Sequence, residues 1–372
     1  MNQFNDFNLS PLMKKTLAAA NFIVPTPVQA GAIPPALEGR DVLATAQTGT
    51  GKTLGFLIPM LERLEKTAVK SIQTVVLLPT RELAMQVQAT YNKLGASHRS
   101  VLVVGGLAER PQLDAIRRGA SVLIATPGRL EDFLNRRLLK LDHVRMLVLD
   151  EVDRMLDMGF RPAIQRIVSV LPRERQTLCY SATLDKQVEE VVGQYLKQPV
   201  RVEIGHVLKP SANVKLRAFE VPVAKKQVLL EHLLQSEEGS FLVFVKTKHG
   251  ADRVAQKLTR SGWGATRIHG DRTQAQRTAA LRSFSQGQHR VLVATDVAAR
   301  GIDVAHIAHV VNYDLPKVAE DFVHRVGRTG RAQKQGIAST FAAPEEKNDL
   351  RHLEKKLSIQ MEHFRVKEIV AC

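Results

Sequence analysis

The stretch Val42-Leu43-Ala44-Thr45-Ala46-Gln47-Thr48-Gly49-Thr50-Gly51-Lys52-Thr53 decides the reading of this chain. It begins as a short apolar strand and breaks into a loop of small residues ending Gly-Lys-Thr. Glycine carries no side chain to keep backbone N–H groups from turning inward around phosphate oxygens. Lys52 can then reach the β- and γ-phosphates of a nucleotide, and the Thr53 hydroxyl can ligate Mg²⁺. Leu54 to Glu65 reads as a helix, whose N-terminus adds partial positive charge at the same place. Ala46 stands where the strict loop pattern opens with Gly.

A nucleotide site of this kind needs a carboxylate for the metal at the end of a later strand. Met146-Leu147-Val148-Leu149 is an apolar run that ends in Asp150-Glu151-Val152-Asp153. Such a run suits a strand buried on both faces of a parallel sheet. Asp150 is then the candidate Mg²⁺ ligand, acting through water because magnesium gives up its water shell reluctantly. Glu151, next to it, is the candidate that orients and deprotonates an attacking water.

Strand-like and helix-like segments alternate on either side of this pair. Thr74 to Leu78, Ser100 to Val104, Val122 to Ala125 and Thr177 to Ser181 read as further strands. The alternation predicts a parallel sheet with helices on both faces. It weakens after Tyr195 and resumes at Phe241 to Val245, Ala265 to Ile268, Val291 to Ala294 and Ile307 to Asn312. A chain of 372 residues exceeds the size at which one core stops growing. Two domains are therefore expected, 1–205 and 217–372, with the irregular stretch 206–216 as linker.

Composition narrows the class. Hydrophobic residues at 44% and charged residues at 24% fit a soluble globular protein. No apolar stretch has the length of a membrane span, and the N-terminus lacks the features of a signal peptide. Cys179 and Cys372 are too few for a disulfide framework or a zinc site, which favours a reducing cytoplasm. The net charge is +16, with 26 basic and 20 acidic residues before Gly205 and 27 and 17 from there on. Both halves are basic, which favours a polyanionic partner. Aromatic residues are only 5%, and Trp263 reads as a packing residue, so no base-stacking platform is expected.

The second half contains His324-Arg325-Val326-Gly327-Arg328-Thr329-Gly330-Arg331. Three arginines at spacing three, interrupted by glycines, suit a partly extended segment that presents guanidinium groups to phosphates. With a phosphate loop in the first half, this suggests a composite site that draws on both domains.

Taken together, these segments resemble the DEAD-box ATP-dependent RNA helicases, from about Phe4 to Phe341. The resemblance implies two tandem RecA-like domains of α/β class, each a mostly parallel sheet with helices on both faces. In Asn21-Phe22-Ile23-Val24-Pro25-Thr26-Pro27-Val28-Gln29 it implies that Gln29 reads the adenine edge while Phe22 and Phe4 pack around the base. Ala46, Gln47, Thr48, Gly49, Thr50, Gly51, Lys52 and Thr53 would hold the phosphates of ATP, with Mg²⁺ on Thr53 and Asp150. Asn21 and Val152 replace the family's usual Gly and Ala. Ser181-Ala182-Thr183 would link Asp153 with the second domain and couple hydrolysis to strand separation, with His324 helping to join the domains.

RNA contacts are implied for Pro79, Thr80 and Arg81, for Gly105 and Gly106, and for Thr126, Gly128 and Arg129. In the second domain Gln274, Arg277, Thr295 and Arg300 match RNA-facing segments, and Gly301 and Asp303 face the nucleotide, Asp303 at the ribose. Arg328 and Arg331 would be the γ-phosphate fingers, completing a catalytic set with Lys52, Asp150 and Glu151. The implied activity is RNA-stimulated ATP hydrolysis coupled to local, sequence-nonspecific remodelling of RNA, by a monomeric, minimal core of bacterial type. Ribosomal-precursor or RNA-decay partners are expected, and no membrane. A DNA motor and a non-unwinding RNA clamp are the alternatives.

Overall fold

The computed structural model describes residues 3–46, 49–65, 71–95, 98–204, 210, 213–299, 307–330 and 335–365. The chain divides into two compact units, with the boundary between residues 206 and 207. The first unit contains strands β1 (Val42–Thr45), β2 (Thr74–Leu77), β3 (Ser100–Val103), β4 (Val122–Ala125), β5 (Met146–Asp150), β6 (Gln176–Ser181) and β7 (Val200–Glu203). The second contains β8 (Val214–Glu220), β9 (Phe241–Phe244), β10 (Ala265–Ile268), β11 (Val291–Ala294), β12 (His309–Asn312), β13 (Gly336–Ala342) and β14 (Glu362–Arg365).

Every strand pair in both sheets is parallel. The spatial orders are β3-β4-β2-β5-β6-β1-β7 and β10-β11-β9-β12-β13-β8-β14, the same order displaced by seven strands. The second unit is thus a repeat of the first in topology.

Alternate residues of each central strand enter different cores, which is why these strands are apolar throughout. On one face of the first sheet, Val42, Val76, Ile124, Val148 and Leu178 pack with Leu57 of the helix Lys52–Leu64 and Ile33 of the helix Pro27–Leu37. On the other, Leu43, Val75, Leu123, Leu147 and Cys179 pack with Phe133 of the helix Pro127–Asn135 and Ile164 of the helix Arg161–Ser169. The second sheet is covered in the same way by two separate clusters. Both units are RecA-like α/β layers with helices on each face. None of the described helices is long and apolar enough to cross a membrane.

Four strands depart from the sequence reading. β7, β8, β13 and β14 are not uniform apolar runs: β7 reads Val-Arg-Val-Glu and β14 Glu-His-Phe-Arg. Both lie at sheet edges, where long-range pairing to β1 and β8 selects the extended conformation. Residues 214–216, expected in the linker, open β8, which is held between β13 and β14. Most of the rest of the expected linker, 206–209 and 211–212, lies outside the described residues.

Candidate functional site

The phosphate loop leaves the C-terminal end of β1, between β6 and β7. Ala46 anchors it: its N–H donates to the Ser181 carbonyl (3.0 Å) and its carbonyl accepts from Lys52 Nζ (2.9 Å). Gly49 (φ +88°) and Gly51 (φ +87°) occupy left-handed backbone, which glycine adopts without the steric penalty of a Cβ. Ala46 is not in that region, so its methyl group is accommodated without backbone strain where the strict pattern has glycine. Asn21, at φ +58°, is the opposite case, since asparagine is among the few residues that tolerate left-handed backbone in place of glycine. Gln47 and Thr48 lie outside the described residues.

Gln29 is buried on the helix Pro27–Leu37, and both ends of its amide are engaged. Its Nε2 donates to the Gly51 carbonyl (2.8 Å), and its Oε1 accepts from the Thr26 N–H (2.9 Å). The adenine-reading candidate is therefore bonded to the phosphate loop itself. Phe4 is placed differently from the sequence expectation. Its side chain is 2% exposed and edge-to-face with Phe7, so the ring is core packing, and its N–H donates to the Ile23 carbonyl (3.0 Å). It holds the backbone at Ile23 through that bond, while the partly buried Phe22 packs against the same core.

β5 ends on Asp150. Burial pushes this carboxyl up to about 7, against the pull of Lys52, and the neighbouring Glu151 raises it further. A buried carboxyl so disfavoured as an anion is suited to a neighbouring cation, and a carboxylate and a hydroxyl such as that of Thr53 are the oxygen donors that a hard ion like Mg²⁺ would take. Glu151 has φ +52° and ψ +52°, an unusual conformation for a non-glycine residue and of the kind that concentrates at functional sites. Val152 is fully buried in the second core cluster, so its extra bulk over alanine is accommodated by apolar packing. Asp153 Oδ2 accepts from Ala182 N (3.1 Å), Thr183 N (3.1 Å) and Thr183 Oγ1 (3.2 Å). The acidic motif and the Ser181-Ala182-Thr183 segment after β6 are thus tied directly together.

The remaining candidates of this unit follow β2, β3 and β4, which are consecutive in the sheet. Thr80 caps the helix Arg81–Lys93 by accepting from Leu83 N (3.3 Å), which starts Arg81 at the strand end. Gly106, the second glycine after β3, makes room for that arginine: a Cβ there, at φ +75°, would come to 2.5 Å from Arg81 Cζ. Thr126 follows β4, and the Arg129 guanidinium lies over the Phe133 ring at 5.4 Å. One sheet edge therefore carries two neighbouring groups: nucleotide candidates at β5, β6 and β1, and the second set at β3, β4 and β2. Ligand groups outside the carboxyl ends of parallel strands are the rule for open α/β sheets.

Family models match the chain twice, as a DEAD/DEAH box helicase over residues 26–191 and as a helicase conserved C-terminal domain over residues 224–333. The chain is 41% identical over 365 residues to the DEAD-box ATP-dependent RNA helicase CshA of Bacillus subtilis, covering 97% of this chain and 74% of that protein. The chain belongs to the DEAD-box ATP-dependent RNA helicase family. It is 45% identical to helicase 14 of Arabidopsis thaliana, of which it spans 56% while 91% of its own length is matched. Among solved structures it is similar to S. cerevisiae Dbp5 bound to RNA and ADP BeF3, at 30% identity and TM-score 0.89, covering 99% and 97% of the two chains. It is also similar to Mss116p bound to ssRNA and AMP-PNP, at 27% identity and TM-score 0.89, covering 97% and 78%.

In the second unit of this helicase, the arginine run is not the extended segment its glycines suggest. Ala319–Val326 is a helix that includes His324 and Arg325, and it ends where the Gly327 N–H donates to the Val323 carbonyl (2.8 Å). Arg325 is buried and bidentate to Asp296 (Nε–Oδ1 2.5 Å, Nη2–Oδ2 2.7 Å), and its Nη1 donates to the Asp314 carbonyl (2.7 Å). It lies over Phe244 at 5.2 Å. This arginine ties two motifs together and is not presented to phosphate, a role hidden in a sequence where it shares the spacing of its neighbours. Arg328 is buried at the end of the same segment.

Gln274 and Arg277 lie on the helix Gln274–Ser285, and Thr295 follows β11. Arg300, Gly301, Asp303 and Arg331 lie outside the described residues. At the position equivalent to the phosphate loop, after β8, Lys226 opens a helix as Lys52 does, but its Nζ donates to the Tyr313 carbonyl (2.9 Å). Trp263 packs partly buried against the core, with the Arg290 guanidinium 5.5 Å from its ring.

Proposed function

We propose that this helicase hydrolyses ATP on the first unit's sheet edge and uses the cycle to separate short RNA duplexes without reading their sequence. The observation that carries this reading is the Asp153–Thr183 link, which joins the nucleotide half of that edge to the segment implicated in strand separation. Lys52 and the loop N–H groups would bind the phosphates, and Gln29 the adenine. Thr53 and Asp150 would hold Mg²⁺, which when bound supplies positive charge against the charge developing on the phosphates.

Glu151 takes a proton from a water whose oxygen bonds to the γ-phosphorus. The bond from that phosphorus to the bridging oxygen breaks, and ADP leaves with the electron pair. Arg328 and Arg331 would stabilise the transferring group. Arg81, Arg129, Arg277 and Arg300, with Thr80, Thr126 and Thr295, would address phosphates and 2′-OH groups, which position a strand without specifying its bases. Ribosome assembly or RNA turnover in the cytoplasm is the setting this chemistry fits.

The test is displacement of a labelled strand from a short RNA duplex. Wild-type protein should displace it with ATP, and Glu151→Gln should bind ATP and RNA while hydrolysis falls at least ~100-fold. RNA retention by wild type without displacement would favour the clamp instead.

A further inference from the structure

Gln112 lies in the first turn of the helix Glu109–Arg117, is 6% exposed and belongs to none of the roles above. Its Oε1 accepts from the Val104 N–H (3.0 Å). Its Nε2 donates to the carbonyls of Val104 (3.1 Å), Leu107 (3.3 Å) and Ala108 (3.1 Å). One buried amide thus holds both arms of the turn that carries Gly105 and Gly106: Val104 on the strand side, Leu107 and Ala108 on the helix side. Burial does not pin that turn, because Gly106, Leu107 and Ala108 are exposed. Glycine loses more backbone freedom on ordering than any other residue, so hydrogen bonds from the Gln112 amide have to offset that cost. The shape of the turn also matters to Arg81, whose guanidinium fills the space that a Cβ on Gly106 would take.

We propose that Gln112 is a positioning residue for RNA binding: its amide fixes the Gly105–Gly106 turn, and through that turn the place of the Arg81 guanidinium. This rests on the reading of the turn and of Arg81 as RNA contacts. A turn already in shape spares RNA the cost of ordering two glycines on binding, so the contribution of the amide appears in RNA affinity. A glutamine that only tied the helix to its strand would add stability and leave RNA affinity and nucleotide affinity without a difference between them.

The experiment is a double-mutant cycle on the full chain, comparing wild type, Gln112→Met, Gly106→Ala and the double variant at a temperature where circular dichroism shows each one folded. Gln112→Met keeps the side-chain volume and removes the bonds to Val104, Leu107 and Ala108. It should raise the RNA concentration that half-saturates ATP hydrolysis by about 10-fold, the size of one lost hydrogen bond to a charged group. The kcat at saturating RNA and the affinity for a fluorescent ADP derivative should each stay within about 2-fold, since neither step draws on the turn. In the Gly106→Ala background, where the turn is already disturbed, the second substitution should weaken RNA binding by less than about 3-fold. Gln112→Asn, whose amide is one methylene too short to reach both arms, should show the same split and serves in place of Gln112→Met if that variant does not fold. An unchanged RNA half-saturation, equal losses of RNA and nucleotide affinity, or multiplicative losses in the cycle each overturns the proposal. Unchanged RNA affinity in Gly106→Ala would instead overturn the reading of the turn as an RNA contact, and this proposal with it.

Discussion

Gly105 and Gly106 are neighbours, yet alanine should be accepted at one and rejected at the other. A Cβ on Gly105 meets nothing within 4 Å, and its backbone is outside the left-handed region. Alanine there reduces the freedom of the unfolded chain, worth ~0.4–1 kcal/mol of stability. Gly106 has φ +75°, where an L-residue costs ~1–2 kcal/mol. Its Cβ would also fall 2.5 Å from Arg81 Cζ, so the guanidinium, the far end of a flexible side chain, has to swing away. The unfolded-chain effect is common to both substitutions, so the two variants should differ by the left-handed strain, ~1–2 kcal/mol, in the stability of the first unit. Urea unfolding of residues 1–205, followed by far-ultraviolet circular dichroism, measures this. In the full chain, the displaced guanidinium should also weaken RNA binding by ~10–100-fold, the loss of one charge-assisted bond. Equal stabilities for the two variants, or unchanged RNA affinity in Gly106→Ala, would refute the reasoning.

Three further outcomes are expected. Wild type should use ATP in preference to GTP, and Gln29→Ala should weaken ATP use by ~1–3 kcal/mol while also loosening the bond to Gly51; equal use of GTP by wild type would remove the adenine-reading role. Residues 1–205 should fold and bind nucleotide but lack RNA-stimulated hydrolysis, because fingers such as Arg328 and Arg331 are worth ~10³–10⁵ in rate, and Arg331→Ala in the full chain should behave likewise; hydrolysis by the fragment at the full chain's rate would exclude a role for both units. His309 is buried against Phe241 with Nε2 2.8 Å from Ser339 Oγ, and burial lowers its pKa from 6.5 to about 3. Its folded pKa is depressed, so its contribution is present above pH 6.5 and lost as pH falls toward 3. The second unit should lose about 2–3 kcal/mol between pH 6.5 and 4.5, and His309→Gln should flatten that slope in pH-dependent denaturation.

Much of this protein is legible in local sequence. Val42 to Thr53 and Met146 to Asp153 specify strand, loop and charge within a dozen residues each, because glycine conformations, apolar runs and carboxylates act over short distances. The same holds for the central strands, whose burial on both faces leaves an unbroken apolar run. Tertiary structure decided the rest. β7, β8, β13 and β14 carry mixed residues and are extended because distant strands pair with them. Arg325 and Arg328 share a spacing, but only packing assigns the first to Asp296, twenty-nine residues away. Phe4 reads as a residue that packs around a base, but the core closes over its ring. Local pattern determines which conformations and chemistries a segment favours; which partner each side chain meets depends on contacts between segments remote in sequence, and no short-range signal encodes them.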